Sequence, residues 1–572
     1  MNKALDLKPI YTEPDNCQDC YKCVRECPVK AIRIEDNKAY IIEKRCIYCG
    51  HCTQVCPTGA KKIRDGVSRV KLALAHHSKV ILSLAPSWVS EFEDLEATQL
   101  IAAIRKLGFM AVSETAIGAE LVSERVSRYL QTSPPGIYIS SACPVVVEYI
   151  RKYSTEHLSS VTPILSPMLA HAKILKQHYG NDIKIIFAGP CICKKLEADN
   201  FRDLIEVAIT FKDLKGWLEK ENIRPAQIPV CAEDHFVPWT SGLGALYPIE
   251  GGMLPGVEEE KKIIKMAFSD LGNIKDVIKN LPTHRQKDSI FLELLACKGG
   301  CINGPAKLSQ TSLAIKRYNI QNRCPVTPEG VRDDLSHIDI GNHFETASCA
   351  TASHTEEEIK QALAAVGKTC PEDELNCSGC GYDSCRDFAL AMLEGRAEEN
   401  MCVSYMRKVA HDKATVLLQK IPAGVLLVDN ELKISDMNRF CANLLGEDVS
   451  MVYEASPGLP GVELDRICSF ADLFRAVLST GKEISERQIH EQDSIWLLSI
   501  YNIQPHRLVF GILQDLREPY VRQEWMVEQT REVIRKHMAT VQQVACLLGE
   551  NAAYTDATLR AVMQSMNEKE KR

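Results

Sequence analysis

Cys17-Gln18-Asp19-Cys20-Tyr21-Lys22-Cys23-Val24-Arg25-Glu26-Cys27-Pro28 returns, with the same spacing, as Cys46-Ile47-Tyr48-Cys49-Gly50-His51-Cys52-Thr53-Gln54-Val55-Cys56-Pro57. Each run sets three thiols at two-residue gaps, a spacing that lets the chain wrap three corners of one [4Fe-4S] cubane, and adds a fourth thiol before a proline. Pro28 and Pro57 fix their own φ and turn the chain away from helix, which ends each run. Zinc can be bound by the same thiols, but its sites rarely show a doubled run of four cysteines.

This is the bacterial two-cluster ferredoxin pattern, in which the fourth cysteine of each run serves the other cluster. Cys17, Cys20, Cys23 and Cys56 are expected to hold one [4Fe-4S] cluster, and Cys46, Cys49, Cys52 and Cys27 the second, within a ferredoxin-like domain over 1–66. The compartment fits. Residues 1–16 lack the basic-then-apolar pattern of a signal peptide, and no stretch reaches the ~20 apolar residues that span a bilayer. A cytoplasmic protein keeps its thiols reduced, so 24 cysteines point to metal rather than to disulfides. With 68 basic and 75 acidic side chains and no long basic run before Lys569, nucleic acid is not an expected partner, nor is a membrane.

At 572 residues the chain has room for about four domains, and the expected fold class is multidomain α/β and α+β. From 67 to 345 apolar strands such as Val80–Leu84, Ile137–Ser140 and Ile183–Phe187 alternate with amphipathic helices, which predicts α/β layers with sites at strand ends. The cysteines there stand apart, each in a loop marked by glycine or proline: Ser140-Ser141-Ala142-Cys143-Pro144, Gly189-Pro190-Cys191-Ile192-Cys193-Lys194-Lys195 and Leu295-Ala296-Cys297-Lys298-Gly299-Gly300-Cys301. Thiolates from three converging loops can bind a cubane, and the glycines beside Cys301 are expected to leave room for a second, bulky group.

These loops resemble the H-cluster signatures of [FeFe]-hydrogenases, from about Cys17 to Pro305 when the ferredoxin module is included. The resemblance implies that Cys143, Cys191, Cys297 and Cys301 ligate the cubane of an H-cluster, with Cys301 bridging to a diiron centre that carries CO, CN and a bridging dithiolate. It implies that Lys194 contacts a cyanide of that centre, a sensible place for a buried ammonium. Ala85, Pro86 and Ser87, with Gly251 and Gly252, would be further walls of the pocket. The sequence also departs from the family. Ala142 stands where proton-transferring members have a cysteine, and a lost proton donor costs ~10²- to 10⁴-fold in rate. Gly189 and Leu295 stand where the family usually has methionine. Glu120 and Glu124 match the acidic relay in type, although acidic residues on such a helix are more often solvated.

A polar linker, Thr346–Thr355, precedes a helix capped by Thr355, and a small iron-sulfur domain is expected over 356–410. Cys377, Cys380 and Cys385 lie in one glycine-bearing loop, and a helix from Phe388 to Asn400 returns Cys402 to close a third accessory [4Fe-4S] site. Four thiolates also satisfy tetrahedral zinc. The segment resembles a small domain of anaerobic redox proteins and sensory hydrogenases. Over 411–516 a strand-turn-strand-helix opening at Gly424–Gly446, with later apolar runs Ile495–Ile500 and Arg507–Leu513, resembles a PAS domain with Asn438 at a helix start. Cys441 and Cys468 read as core residues. In 517–572, Val527, Ile534, Val541 and Leu548 repeat every seven residues, which suits a coiled-coil or bundle seam able to join two copies.

The whole implies a hydrogen sensor. Dihydrogen would react slowly at the H-cluster, release protons, pass electrons through three accessory clusters and change the tail, for a ferredoxin-type carrier and a separate kinase or phosphatase to read. A working ferredoxin-linked hydrogenase and a hydrogenase-like assembly protein without the diiron centre are the alternatives.

Overall fold

The doubled cysteine run folds as a doubled loop. The computed structural model describes residues 8–516, except 259–261, 282–287, 324–334, 336, 350–352 and 492–493, together with positions 527, 531, 535 and 538. Asp19 and Tyr21 in the first run, and Tyr48 and Gly50 in the second, all take positive φ, at 51°, 54°, 53° and 81°. The same two places after the first cysteine of each run are thus left-handed, which curls the chain around a common point. Two short antiparallel pairs brace these loops: β1 (Ile10–Thr12) with β4 (Lys61–Ile63), and β2 (Ile32–Glu35) with β3 (Lys38–Ile41). Asp36 and Asn37 join β2 to β3 with φ of 51° and 57°, the double left-handed turn that matches strand twist.

The central region builds two parallel sheets. The first has the order β6 (Ala111–Glu114), β5 (Val80–Leu84), β8 (Lys184–Gly189), β9 (Val207–Thr210). The second has the order β10 (Ile263–Ser269), β11 (Ser289–Leu295), β7 (Ile137–Ile139). Every residue of β5 is buried, as expected of a strand covered by helices on both faces. Neighbours of β5 and β8 diverge to opposite sides, so the carboxyl ends of these two strands form a switch point, where open α/β sheets place their ligands. Helices Ala116–Thr132 and Pro167–Tyr179 cross closely at Gly118, where a Cβ would stand 2.3 Å from the Pro167 carbonyl. The second helix sends His171 into the sheet, where Ser83 meets Nδ1 and Ser113 meets Nε2, each at 2.8 Å. Burial lowers the His171 pKa to about 3, so it packs as a neutral ring.

The small iron-sulfur domain shares a buried core with the ferredoxin module, through Val24 and Cys27 on one side and Tyr382, Phe388, Ala391 and Met401 on the other. Its expected helix Phe388–Asn400 is shorter and earlier, Cys385–Leu393, because Gly395 at φ 65° stops it. The capping of Glu356–Ala365 by Thr355 is as read from the sequence, with Thr355 accepting from Glu358 N.

The described residues form two compact units that part after Met406, inside the helix Val403–Lys420. A boundary at 410 therefore falls within continuous helix. The second unit is an antiparallel sheet of order β13 (Ile434–Met437), β12 (Gly424–Asp429), β16 (Leu508–Asp515), β15 (Ser494–Gln504), β14 (Ile484–Glu491). Asn438 caps the helix Arg439–Leu444 by accepting from Cys441 N, and its amide donates to Leu418 O and Ala423 O at 2.9 Å each. Cys441 is buried in the core of this unit and Cys468 packs against it. The heptad tail lies outside the described residues, except that Val527, Arg531, Arg535 and Met538 are helical.

Candidate metal centre

The three cysteine loops of the central region all leave the carboxyl ends of parallel strands. Cys143 follows β7, Cys191 follows β8, and Cys297 and Cys301 follow β11. Cys143 also caps the helix Pro144–Tyr153, whose partly positive N-terminus favours an anionic cluster. The sulfurs of Cys143, Cys191 and Cys301 all act electrostatically on Cys297, which places the set around one point. Burial drives the Cys191 thiol up to about 11 and those of Cys297 and Cys301 far above the ordinary range, the neighbouring sulfurs adding to it. A metal must displace these protons to bind.

Beside the set lies a cavity walled by Ala85, Pro86, Ser87, Ala142, Cys191, Lys194, Leu295 and Cys301, with Phe187, Met168, Tyr247 and Pro248. Cys191 and Cys301 reach it; Cys143 and Cys297 do not line it. Ser87 is 1% exposed and its Oγ has no hydrogen-bond partner among the described residues. Lys194 donates to Ser166 Oγ at 2.8 Å and to Glu197 Oε2 at 2.6 Å. Burial opposes its charge, but Glu197 and the sulfurs of Cys191 and Cys143 outweigh this and hold its pKa above the usual lysine value.

Three expectations need correction. Gly251 and Gly252 do not line the cavity: a Cβ on Gly252 would stand 1.8 Å from the Leu246 carbonyl, so the pair makes the tight turn behind Tyr247 and Pro248. Gly299 and Gly300 do not leave room for a ligand either. A Cβ at Gly300 would lie 2.3 Å from Pro248 O, and one at Gly299 2.5 Å from Leu313, so both glycines admit packing. Glu120 accepts from Gly242 N and Gly244 N, and Glu124 pairs with Arg125 and Arg128, so neither is a solvated helix carboxylate. The space a side chain at Gly189 would fill holds the Phe187 ring, 2.7 Å from the Cβ position.

The sequence reading missed Glu293. It is 2% exposed on β11, two residues before the cavity-lining Leu295; Oε1 accepts from Met253 N at 3.0 Å, and Oε2 is buried without a hydrogen-bond partner among the described residues. Burial raises its carboxyl to about 7, with Met253 and Gly251 N–H groups opposing. The signal was a lone acid inside the apolar run Ile290–Leu295.

In the ferredoxin module the structure draws Cys17, Cys20 and Cys56 around Cys23, and Cys49, Cys46 and Cys27 around Cys52, the crossed sets. Cys49 also acts on Cys297, and Gly50 is pressed against Ile192 and Pro305, its Cβ position 2.6 Å and 2.5 Å away, so the second set adjoins the central one. Lys152 and Tyr153, at the end of the Cys143 helix, donate to the carbonyls of Cys46 and Arg45, each at 2.6 Å. In the third module Cys380 lies near Cys402 and Cys377, while Asn376 accepts from Cys385 N at 2.8 Å. Among the described residues no three His, Cys, Asp or Glu side chains close on a single ion. A cubane binds its thiolates at four separate irons.

Residues 78–305 match the family model of the iron only hydrogenase large subunit, C-terminal domain, and residues 16–60 match the 4Fe-4S dicluster domain. This is a hydrogenase-like iron-sulfur protein. An iron-sulfur cluster model matches residues 373–404. Iron hydrogenase 1 of Clostridium pasteurianum is 26% identical over 298 residues, 42% of this hydrogenase-like chain and 52% of the relative, so the chain spans about half the length of that relative. A variant of the [FeFe]-hydrogenase HydA1 from Chlamydomonas reinhardtii aligns at 18% identity, covering 49% of this chain and 99% of the other, with TM-score 0.38. The PAS domain of an HTR-like protein from Haloarcula marismortui aligns at 14% identity over 20% of this chain and 96% of the other, with TM-score 0.15. No helix among the described residues is long and apolar enough to cross a membrane.

The cavity suits an H-cluster. The unpartnered Ser87 hydroxyl can donate to a ligand oxygen or nitrogen, the Lys194 ammonium suits anionic ligands, and Cys191 and Cys301 join cavity to cubane set.

Proposed function

We propose that this protein senses hydrogen by slow, reversible chemistry at an H-cluster held by Cys143, Cys191, Cys297 and Cys301. When bound, the diiron group supplies the interconversion of H2 with two protons and two electrons. The chain's own residues set the pace. Lys194 and Ser87 both line the cavity and would hold the anionic and polar ligands, and the apolar walls would exclude water. Ala142 carries the reading: it meets the cavity where fast relatives have an exchangeable thiol, and a methyl group has no proton to give. The adjoining crossed cysteine sets and the Cys377–Cys402 site offer electrons a path to a ferredoxin-type carrier, and the C-terminal sheet, which we read as PAS-like from its order and its Asn438 cap, would report the change.

Three measurements on maturated protein test this. Infrared bands of carbonyl and cyanide must be present, and steady-state turnover must fall orders of magnitude below that of relatives with the thiol. Hydrogen-exchange protection in Arg522–Leu548 should then differ between hydrogen and argon. Identical protection, with clusters shown to have changed redox state, removes the sensing role. Glu293 favours the working-hydrogenase reading, because a buried carboxyl titrating near 7 can carry a proton; a high turnover abolished by Glu293→Gln would establish it.

A further inference from the structure

Tyr382 sits in the third cysteine loop, two residues after Cys380, and is 2% exposed. Its hydroxyl is buried and has no hydrogen-bond partner among the described residues. The ring is fixed in place. Phe388 packs against it at 5.8 Å between centroids, and the Arg396 guanidinium lies 5.9 Å from its centre. The preceding Gly381, at φ 97°, lies so close to the ferredoxin module that a Cβ would stand 3.0 Å from Arg25 N and 3.1 Å from Val24 Cγ1. Around it Ile34 N donates to Arg396 O at 3.1 Å, and Asn400 donates to Asn37 Oδ1 at 2.8 Å. The phenol therefore cannot swing out to water.

An unsatisfied buried hydroxyl costs about 1–3 kcal/mol, so a fold rarely keeps one without a partner off the chain. The place of this hydroxyl points to that partner. Tyr382 stands inside the ligand loop, two residues after Cys380 and three before Cys385, where a cluster held by these cysteines would adjoin it. We propose that the Tyr382 hydroxyl donates a hydrogen bond to a sulfur of a [4Fe-4S] cluster held by Cys377, Cys380, Cys385 and Cys402. Such a bond strengthens as the cluster gains negative charge, so it raises the reduction potential and makes this cluster a better electron acceptor for the neighbouring ferredoxin set. One electron enters the cluster and the hydroxyl keeps its proton. Tyr382 is a positioning and tuning residue, not a ligand.

The inference rests on the third module holding a cluster, and its test is separable from the hydrogen chemistry. The reconstituted full chain is titrated with dithionite under electron paramagnetic resonance, as wild type, Tyr382→Phe and Cys385→Ser. The couple missing from Cys385→Ser should move to a more negative potential in Tyr382→Phe, with iron content and the carbonyl and cyanide bands unchanged. Wild-type potentials throughout, or a shift confined to a ferredoxin couple, overturn the proposal. If Tyr382→Phe loses iron, wild type exchanged into D2O decides: spin-echo modulation from an exchangeable deuteron on that couple is expected, and its absence overturns the assignment. Unchanged iron in Cys385→Ser removes both cluster and proposal, yet leaves the reading of the cavity intact.

Discussion

Lys316→Met should destabilise the first unit by about 3 kcal/mol. Lys316 Nζ stands 2.7 Å from Glu91 Oε1, with both side chains 0% exposed, and also donates to Ser309 O at 3.0 Å and to Ile302 O at 3.3 Å. At an effective dielectric of 20 the pair's attraction is about 6 kcal/mol, much of it offset by the lysine's own desolvation. Methionine fills the volume but leaves Glu91 as a buried, unpaired charge, and breaking such a pair costs about 3–5 kcal/mol. The lower end applies because Glu91 Oε2 keeps two backbone donors, Leu308 N and Ser309 N at 2.9 Å. Glu91→Gln in the same chain removes the charge while keeping an acceptor for those donors, so the double variant should recover about half of the loss. Equilibrium urea unfolding of the anaerobic apo chain, followed by tryptophan fluorescence, reads both numbers. A loss below about 1 kcal/mol, or a double variant no more stable than Lys316→Met, would refute the reasoning. The pair matters to the site because Ile302 directly follows Cys301.

Cys385→Ser should remove roughly one cubane, about four of about eighteen irons at full occupancy, while sparing the carbonyl and cyanide bands; iron analysis with infrared spectroscopy checks it. Ala142→Cys should raise hydrogen production, by up to ~10²-fold where the rest of the relay is incomplete, and an unchanged rate with intact bands would place the limit elsewhere. For Glu293, a folded-state pKa of about 7 against an ordinary 4.5 means that the folded protein binds the proton more tightly. Its stabilising contribution is full below about 4.5 and is lost as pH rises through 7, about 3 kcal/mol in all. Glu293→Gln should therefore stabilise the apo chain relative to wild type at pH 8 but not at pH 4.5, and urea midpoints that keep the same difference at both would exclude this.

Local chemistry made much of the molecule legible from sequence. The doubled run of Cys17–Pro57 needs no distant partner to be understood, because two-residue gaps and positive φ belong to the loop itself. The strand before each central cysteine, the Thr355 and Asn438 caps and the stop at Gly446 were readable for the same reason. Glycines were read less well. Gly251, Gly252, Gly299 and Gly300 signal close approach in sequence, but not what approaches, and the structure supplies Leu246, Pro248 and Leu313 rather than a ligand.

Cysteine spacing by itself pointed to iron-sulfur chemistry, since three thiols at two-residue gaps fall within reach of one cluster whatever the rest of the chain does. Only the tertiary structure decided which sites adjoin. Gly50 against Ile192 and Pro305, Gly381 against Val24 and Arg25, and Lys316 under the Cys301 loop join residues far apart in the chain. Their proximity comes from strand order and shared burial, and no periodicity in the sequence encodes it.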